Sequence, residues 1–440
     1  MSSELRKKSV FKAACSCQLP LILLTLSILP VFAQTPVKPV LFTGATIHTG
    51  AGTVLQNTAF AVKDSNIIIL GDMSASINRT DYDTVINLEG KHVYPGYIAL
   101  NSTLGLREVD AIRATLDYDE VGELNPHVRA LTAFNTDSRL SETVRSNGVL
   151  TIQATPQSGY VRGSSSVFRL NGWNWEDAVR KEDDGIHVNW PEANLPKSAQ
   201  DTSKATEKNK EVQRKLKALF QDASAYSKTK SATEKNVKLE AMRGLFNGSQ
   251  TLYLHAYRAR DISDAVQFAV SYGIKRICIV GGSDSDMVID LLKRYRVSVI
   301  LSRLHQLPDR PDDPIEKAFS MPKLLNDAGI VVAISNYGGM EQGTRNLGFT
   351  AGTAVAYGMS KEAALQLIAL NPARILGIEK TDGSLETGKR ATFFVTSGDA
   401  LEMRTAAVEF AFIDGRPVDL DNHQKVLYRK FMGKYGLPVK

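Results

Sequence analysis

Cysteine is nearly absent from this chain. It has 3 in 440 residues, and two of them, Cys15 and Cys17, stand ahead of an apolar run near the N-terminus. That leaves Cys278, flanked by apolar residues in "KRICIVGG", with no partner for an internal disulfide. A lone cysteine in such a setting reads as core packing. Charge of one sign is scarcer than it first looks. The formal net charge is +6, but four Lys/Arg and one Glu lie within residues 1–33, so the remainder carries only +3. A near-neutral body argues against a nucleic-acid partner. Long hydrophobic runs are also lacking, with one exception. "LPLILLTLSILPVFA" follows the basic residues Arg6, Lys7, Lys8 and Lys12 and ends Val31-Phe32-Ala33. Basic start, apolar run and small-residue stop predict an export signal over 1–33, cut after Ala33, and a periplasmic or secreted mature chain. The run is short and broken by Pro30, so no stable membrane span is expected once the signal is removed. Phosphate loops and nucleophile elbows are missing as well. The Gly/Ser runs "RGSSSVFRL" and "VGGSDSD" have the spacing of neither and read as turns beside strands.

What is present is an ordinary core. With 43% apolar and 23% charged residues, the chain suits a soluble protein with one large domain and a satellite. Residues 38–92 alternate in short strand-like pieces punctuated by Gly, Asp and Asn, and "GSLETGKRATFFVTSG" and "AAVEFAFIDGRPV" repeat that texture near the other end. The two pieces predict one small sheet domain built from 34–93 with 384–440. Between them, over 94–383, apolar strand candidates alternate with helical stretches. In "DISDAVQFAVSYG", Ile262, Val266 and Ala269 share a helical face, Asp261 can cap the start and Gly273 marks the stop. Eight such strands, several followed by helices, predict a parallel (β/α)8 barrel of the TIM type. Residues 190–247 interrupt the pattern. They are rich in Lys, Glu, Ser and Ala, and Val212, Leu216, Leu219 and Phe220 share one helical face. This predicts a helical insertion, either covering the barrel mouth or a solvated excursion.

Several of these segments resemble the amidohydrolase superfamily, its imidazolonepropionase-like branch in particular. "GATIHTGAGTVLQNTAFAVKDSNIIILG" is similar to its opening sheet and "GKHVYPGYIALNSTLGL" to its first barrel strand. "NLGFTAGTAVAYGMSKEAALQLIALNPARILGIEKTDGSLETGKRATFFV" is similar to its closing segment. The resemblance implies a site at the C-terminal ends of the barrel strands holding one or two divalent metals, zinc or iron. It also implies a ligand set: two histidines two apart after strand one, a lysine or acid after strand four, histidines after strands five and six, and an aspartate after strand eight. In that scheme the metal acidifies a bound water and the aspartate takes its proton.

Position by position, most of that set is replaced. The paired histidines fall on Asn101 and Thr103, neutral oxygen groups that are poor ligands for zinc or iron. The strand-five histidine is kept as His255. The strand-six position, near "IVGGSD", has none, and the strand-eight aspartate is Asn336, whose amide cannot accept a proton near neutral pH. "GIHVNW" offers His187 for strand four. No bound cofactor is therefore expected. The loop "REVDAIRATLDYDEVGELNP" after strand one clusters carboxylates, with Glu108 and Asp119 as weaker candidates for a rebuilt site. Interleaved Arg107, Arg113 and Arg129 make salt bridging its simplest use. Two functional readings stay open. One is a hydrolase of carbon–nitrogen bonds in a cyclic amide or small peptide, with a rebuilt site. The other is a non-catalytic barrel that binds a small molecule at its mouth or a partner protein. A partner could be a second copy or a related amidohydrolase-like chain with intact ligands.

Overall fold

The computed structural model describes residues 38–72, 78–192, 202–229, 234–337 and 341–439. The expected export signal, 1–33, lies outside them. Two sheets organise the molecule. The first is made of β1 (Val40–His48), β2 (Val54–Lys63), β3 (Asn66–Asp72), β4 (Thr84–Asn87) and β5 (His92–Pro95) from one end, and β14 (Phe393–Thr396), β15 (Val408–Ile413) and β16 (Arg416–Pro417) from the other. Its order is β16-β15-β14-β5-β1-β2-β3, with β4 beside β1. The two ends of the chain meet where β14 pairs antiparallel with β5, Val395 opposite Val93. Alternation drives this sheet. Phe42, Phe60, Phe393 and Val395 turn to one face and make its core, where the Phe42 and Phe60 rings stack at 4.6 Å.

The second sheet is the barrel. Its strands are β6 (Tyr97–Ser102), β7 (Val149–Ala154), β8 (Val161–Arg169), β9 (Val179–Asn189), β10 (Thr251–Ala256), β11 (Ile277–Gly281), β12 (Ser298–Leu301) and β13 (Val332–Ile334), adjacent in chain order. Most are buried at every position, so they read as continuous apolar runs, as strands covered on both faces do. Leu367 and Ile368 bridge the seam between the first and eighth strands: Ile98 N donates to Ile368 O at 2.8 Å and Ile334 N to Leu367 O at 3.3 Å.

The barrel differs from an all-parallel one at a single strand. β8 runs antiparallel to both β7 and β9. Its connection from β7 spans only residues 155–160, too short for a parallel crossover, which needs a dozen residues or more. The reading of "RGSSSVFRL" as a turn is corrected with it, because these residues form most of β8. The small residues are there for close approach: a Cβ on Gly163 would meet Val128 O at 2.4 Å.

The insertion is helical over Thr202–Lys228, Val237–Ala241 and Arg243–Asn247. Val212, Leu216 and Phe220 are buried, and Phe220 meets Phe268 of the helix Ala259–Ser271 edge-on at 4.9 Å. That helix is capped by Arg258 rather than Asp261, which lies in its first turn; Asp284 Oδ2 accepts from Ala259 N. Past β16 the chain forms a helix, His423–Lys434, tied to the barrel's flank by Thr143 and Ser146 through Gln424 and Asn422. Cys278 is buried in the barrel core with a free thiol. Among the described residues no helix is long and apolar enough to cross a membrane.

Candidate active site

The C-terminal ends of the barrel strands carry a connected polar network. Asn101, near the end of β6, adopts a left-handed conformation, φ 51°, which asparagine tolerates better than most residues. That turn interrupts the strand alternation that would aim positions 101 and 103 the same way. The Asn101 side chain is 3% exposed, and both its Oδ1 and Nδ2 are buried without a hydrogen-bond partner. Its backbone N–H donates to Gln153 Oε1 of β7 at 3.0 Å. Thr103 is turned to other work: its N–H donates to Glu341 Oε1 at 3.0 Å, beside a short contact from Ser102 Oγ and one from Leu104 N at 3.1 Å. Burial pushes the Glu341 carboxyl above its ordinary range, while the hydrogen bonds of residues 102–104 oppose that shift.

Gln153 links this edge to the middle of the barrel. Its Nε2 donates to Ser165 Oγ of β8 at 3.2 Å and to Asp184 Oδ2 of β9 at 3.0 Å. Asp184 is fully buried and accepts two more bonds, from Ser165 Oγ at 2.6 Å and Tyr253 Oη at 2.7 Å. Burial raises its pKa, and these donors counter the rise.

The two histidines follow. His187 Nε2 lies 2.9 Å from Ser165 Oγ and its Nδ1 lies 3.0 Å from His255 Nε2. Tyr253 stacks under the His187 ring at 4.3 Å. Gly185 leaves room for it, since a Cβ there would meet the Tyr253 ring at 2.4 Å. The chain of bonds sets the tautomers. Ser165 spends its proton on Asp184, so it accepts from His187 Nε2–H. His187 Nδ1 then accepts from His255 Nε2–H. His255 Nδ1 is left as a lone pair, buried and unpartnered. Both imidazoles are held well below their ordinary pKa, by burial first and then by the charge of Arg162. They are neutral at physiological pH.

Arg162 is a site residue that sequence reasoning missed. The resemblance implies a site at the C-terminal ends of strands, and Arg162 lies at the start of one. Because β8 is antiparallel, its start stands beside the end of β9, with Val161 opposite Val188 and Gly163 opposite His187. Tyr337, just past β13, joins the two halves of the mouth. Its ring centroid lies 5.7 Å from the Arg162 guanidinium and 6.1 Å from the His255 ring. Asn336 lies next to it, its amide against Gly343, where a Cβ would meet Nδ2 at 3.0 Å. Ser165, Gln153 and Asp184 were also missed. Their spacing in sequence carries no signal, because neighbouring strands bring them together.

The structure joins Asn101, His187 and His255 in this network and sets Asn336 beside Tyr337. It leaves the acidic loop elsewhere. Glu108 accepts from Asn135 Nδ2 at 3.2 Å, Asp119 is exposed, and Arg107 pairs with Asp110 at 2.5 Å. Arg113 donates instead to the carbonyls of Leu116 and Asp119, and Arg129 pairs with Glu182 and Asp183 of β9. Among the described residues no group of three or more His, Cys, Asp or Glu comes together in a way that could hold a metal ion.

Comparison with known proteins bears on this barrel directly. The family model described as "Amidohydrolase family" matches residues 196–419, half of the chain. The chain belongs to the amidohydrolase family. This amidohydrolase-family chain is similar in fold to an amidohydrolase from Thermotoga maritima MSB8, with 23% identity, TM-score 0.74, and 86% of this chain and 99% of that one covered. It is also similar to a Xaa-Pro dipeptidase with bound methionine (15% identity, TM-score 0.54, 87% and 100% covered). A third is an adenosine deaminase from Xanthomonas campestris with bound zinc (15% identity, TM-score 0.50, 90% and 98% covered). No curated protein matches the sequence. The matched span of the family model begins after β9, so Asn101 and Thr103 lie in the half of the barrel that precedes it.

Proposed function

We propose that this chain is an exported amidohydrolase-family protein whose barrel mouth receives a small molecule carrying a carbon–nitrogen bond, the bond its family hydrolyses, and that it has lost the family's metal-hydroxide chemistry. One observation carries the reading: His187 Nδ1 and His255 Nε2 hydrogen-bond to each other at 3.0 Å, which engages a ring nitrogen of each. The rest of the donor set is consistent with it. Asn101 and Asn336 are amides, Thr103 donates its N–H to Glu341, and Asp184 is saturated by three donors beneath the histidines. These residues do not fit the divalent ion that the resemblance implies.

A second reading rests on one atom. The His255 Nδ1 lone pair is buried at the mouth with its tautomer fixed, so it is placed to take a proton from water without a metal. A metal assay of the purified protein, followed by an amide and lactam panel assayed in chelator, separates the readings. Ligand binding without turnover supports the binder. Chelator-resistant turnover lost in His255→Gln supports the general base. Zinc or iron at one equivalent, released by His255→Ala, would overturn both. A related chain with intact ligands is the natural partner for a binder, and co-purification from the native source tests it. Export is tested by N-terminal sequencing of the mature protein, which should begin at Gln34.

A further inference from the structure

The helix His423–Lys434 has no buried residue. It is held at its start, where Asn422 Oδ1 accepts from Lys425 N at 2.9 Å and Asn422 Nδ2 donates to Ser146 Oγ at 2.9 Å. A helix of this length is marginal in water and ordinarily draws its stability from packing an apolar face. This one has the face and leaves it open. Leu427, Phe431 and Tyr435 recur about one turn apart and so share a side, and Phe431 and Tyr435 are 46% and 65% exposed. Gly436, at φ 63°, then ends the helix. Leu437 N donates back to Met432 O at 2.9 Å, which returns the exposed Leu437 to the last turn. Of the 21 large apolar side chains exposed among the described residues, seven lie between Val426 and Val439. Such a concentration marks a contact surface, unlike the scattered apolar exposure of any soluble protein.

The charge around that face has one sign. Lys425, Arg429, Lys430, Lys434 and Lys440 are cations, and no carboxylate side chain follows Asp421, which answers Arg429 at 3.0 Å. In helical projection Lys430 and Lys434 border the apolar face on one side, and Lys425 and Arg429 border it on the other. Residues 34–440 carry +3, and setting these five cations aside leaves −2 on 34–422. Body and tail are therefore of opposite sign, and a second copy packed helix to helix would bring like charges together. An apolar strip with aromatic rings, edged on both sides by lysine and arginine, suits the boundary of an anionic bilayer. The rings and Leu427 enter the headgroup layer while the long basic side chains reach the phosphates. We propose that this helix lies flat on an anionic lipid surface and holds the barrel there. Its 12 residues reach about 18 Å, against a hydrocarbon core of about 30 Å, so it lies along the surface and does not cross it. The inference is independent of what the barrel mouth receives.

The test is co-sedimentation of the chain beginning at Gln34, so that the expected signal cannot itself bind lipid. The probes are vesicles of phosphatidylcholine alone and of phosphatidylcholine mixed with phosphatidylglycerol. The protein should bind the mixed vesicles at least about tenfold more tightly than the neutral ones, and added salt should weaken that binding. The double variant Leu427→Ser, Phe431→Ser removes the apolar face without changing charge, and should lose binding to both vesicles. Lys430→Glu with Lys434→Glu should erase the preference for the anionic ones. All four side chains are unburied, so the melting temperature of each variant should match that of the unaltered protein. Phe431→Trp reports depth: its added emission should shift to the blue on mixed vesicles and be quenched by brominated acyl chains. No binding to mixed vesicles, equal binding to both kinds, or binding that survives the double serine variant would each overturn the proposal. So would sedimentation velocity showing a dimer that Phe431→Ser disperses in a protein that ignores vesicles, since the face would then belong to a second copy.

Discussion

Gln153 is the residue on which the candidate site turns. It is fully buried, and its one amide serves three partners on three strands: Asn101, Ser165 and Asp184. Replacing it by leucine leaves a buried N–H and a buried carboxylate each short of a partner. Gln153→Leu should cost about 2–4 kcal/mol, read as a fall in the urea midpoint at unchanged slope. A cost near zero would mean that water enters the network. Legibility at this scale was uneven. Asn101, Thr103, His255 and Asn336 could be picked out because they fall on positions of a resembled pattern. Gln153, Ser165 and Arg162 could not, because their roles come from neighbours on other strands.

At the scale of elements, β8 decides the most. A connection of six residues turns it antiparallel, and its first residues then stand among the last residues of β9. The same register places Gly163 opposite His187. The histidine pair of β9 and β10 carries a pH prediction. Both rings are neutral in the fold because burial, then Arg162, holds their pKa well below the ordinary value. Unfolded histidine titrates at about 6.5, so below that pH the unfolded chain binds more protons than the folded one. Stability should therefore fall as pH drops, by up to about 1.4 kcal/mol per unit for each ring. Urea midpoints between about pH 8 and pH 5 check this. The double substitution His187→Asn, His255→Asn should flatten the slope, and a midpoint that rises on acidification would contradict it. In the small sheet the aromatic cluster does the holding. Phe393 meets Phe42 at 5.4 Å and Phe412 at 4.8 Å, and is fully buried. Phe393→Ala should cost about 3–5 kcal/mol, and a chemical melt resolves a loss of that size.

The whole molecule is joined by charge as well as by β-pairing. Asp414, in the turn between β15 and β16, receives Arg180 of β9 at 2.7 Å and Arg169 of β8 at 3.4 Å, so the small sheet is ion-paired to the barrel. Asp382 completes the cluster on Arg180 at 3.3 Å. Asp414 has φ 51°, a conformation that asparagine also adopts, so Asp414→Asn removes charge with little change in backbone strain. It should cost about 3 kcal/mol, because it strips a buried guanidinium of its main partner. If the thermal midpoint is unmoved, Asp382 and the carbonyls nearby suffice. Limited proteolysis of the same variant should cut first near residues 414–420, where the sheet edge is freed from the barrel.

Sequence alone determined the broad architecture, because it is written in local periodicity. Alternation of period two gave the end sheets, apolar runs with intervening helices gave the barrel, and the face of Val212, Leu216 and Phe220 gave the insertion. It also determined that positions 101 and 336 carry amides and position 103 a hydroxyl, since an amide or a hydroxyl is what it is in any fold. Tertiary structure alone decided the direction of β8, the bond between His187 and His255, and the place of Arg162. Each depends on which strands become neighbours and in what register. A buried charge acquires meaning only when the groups around it are fixed in space.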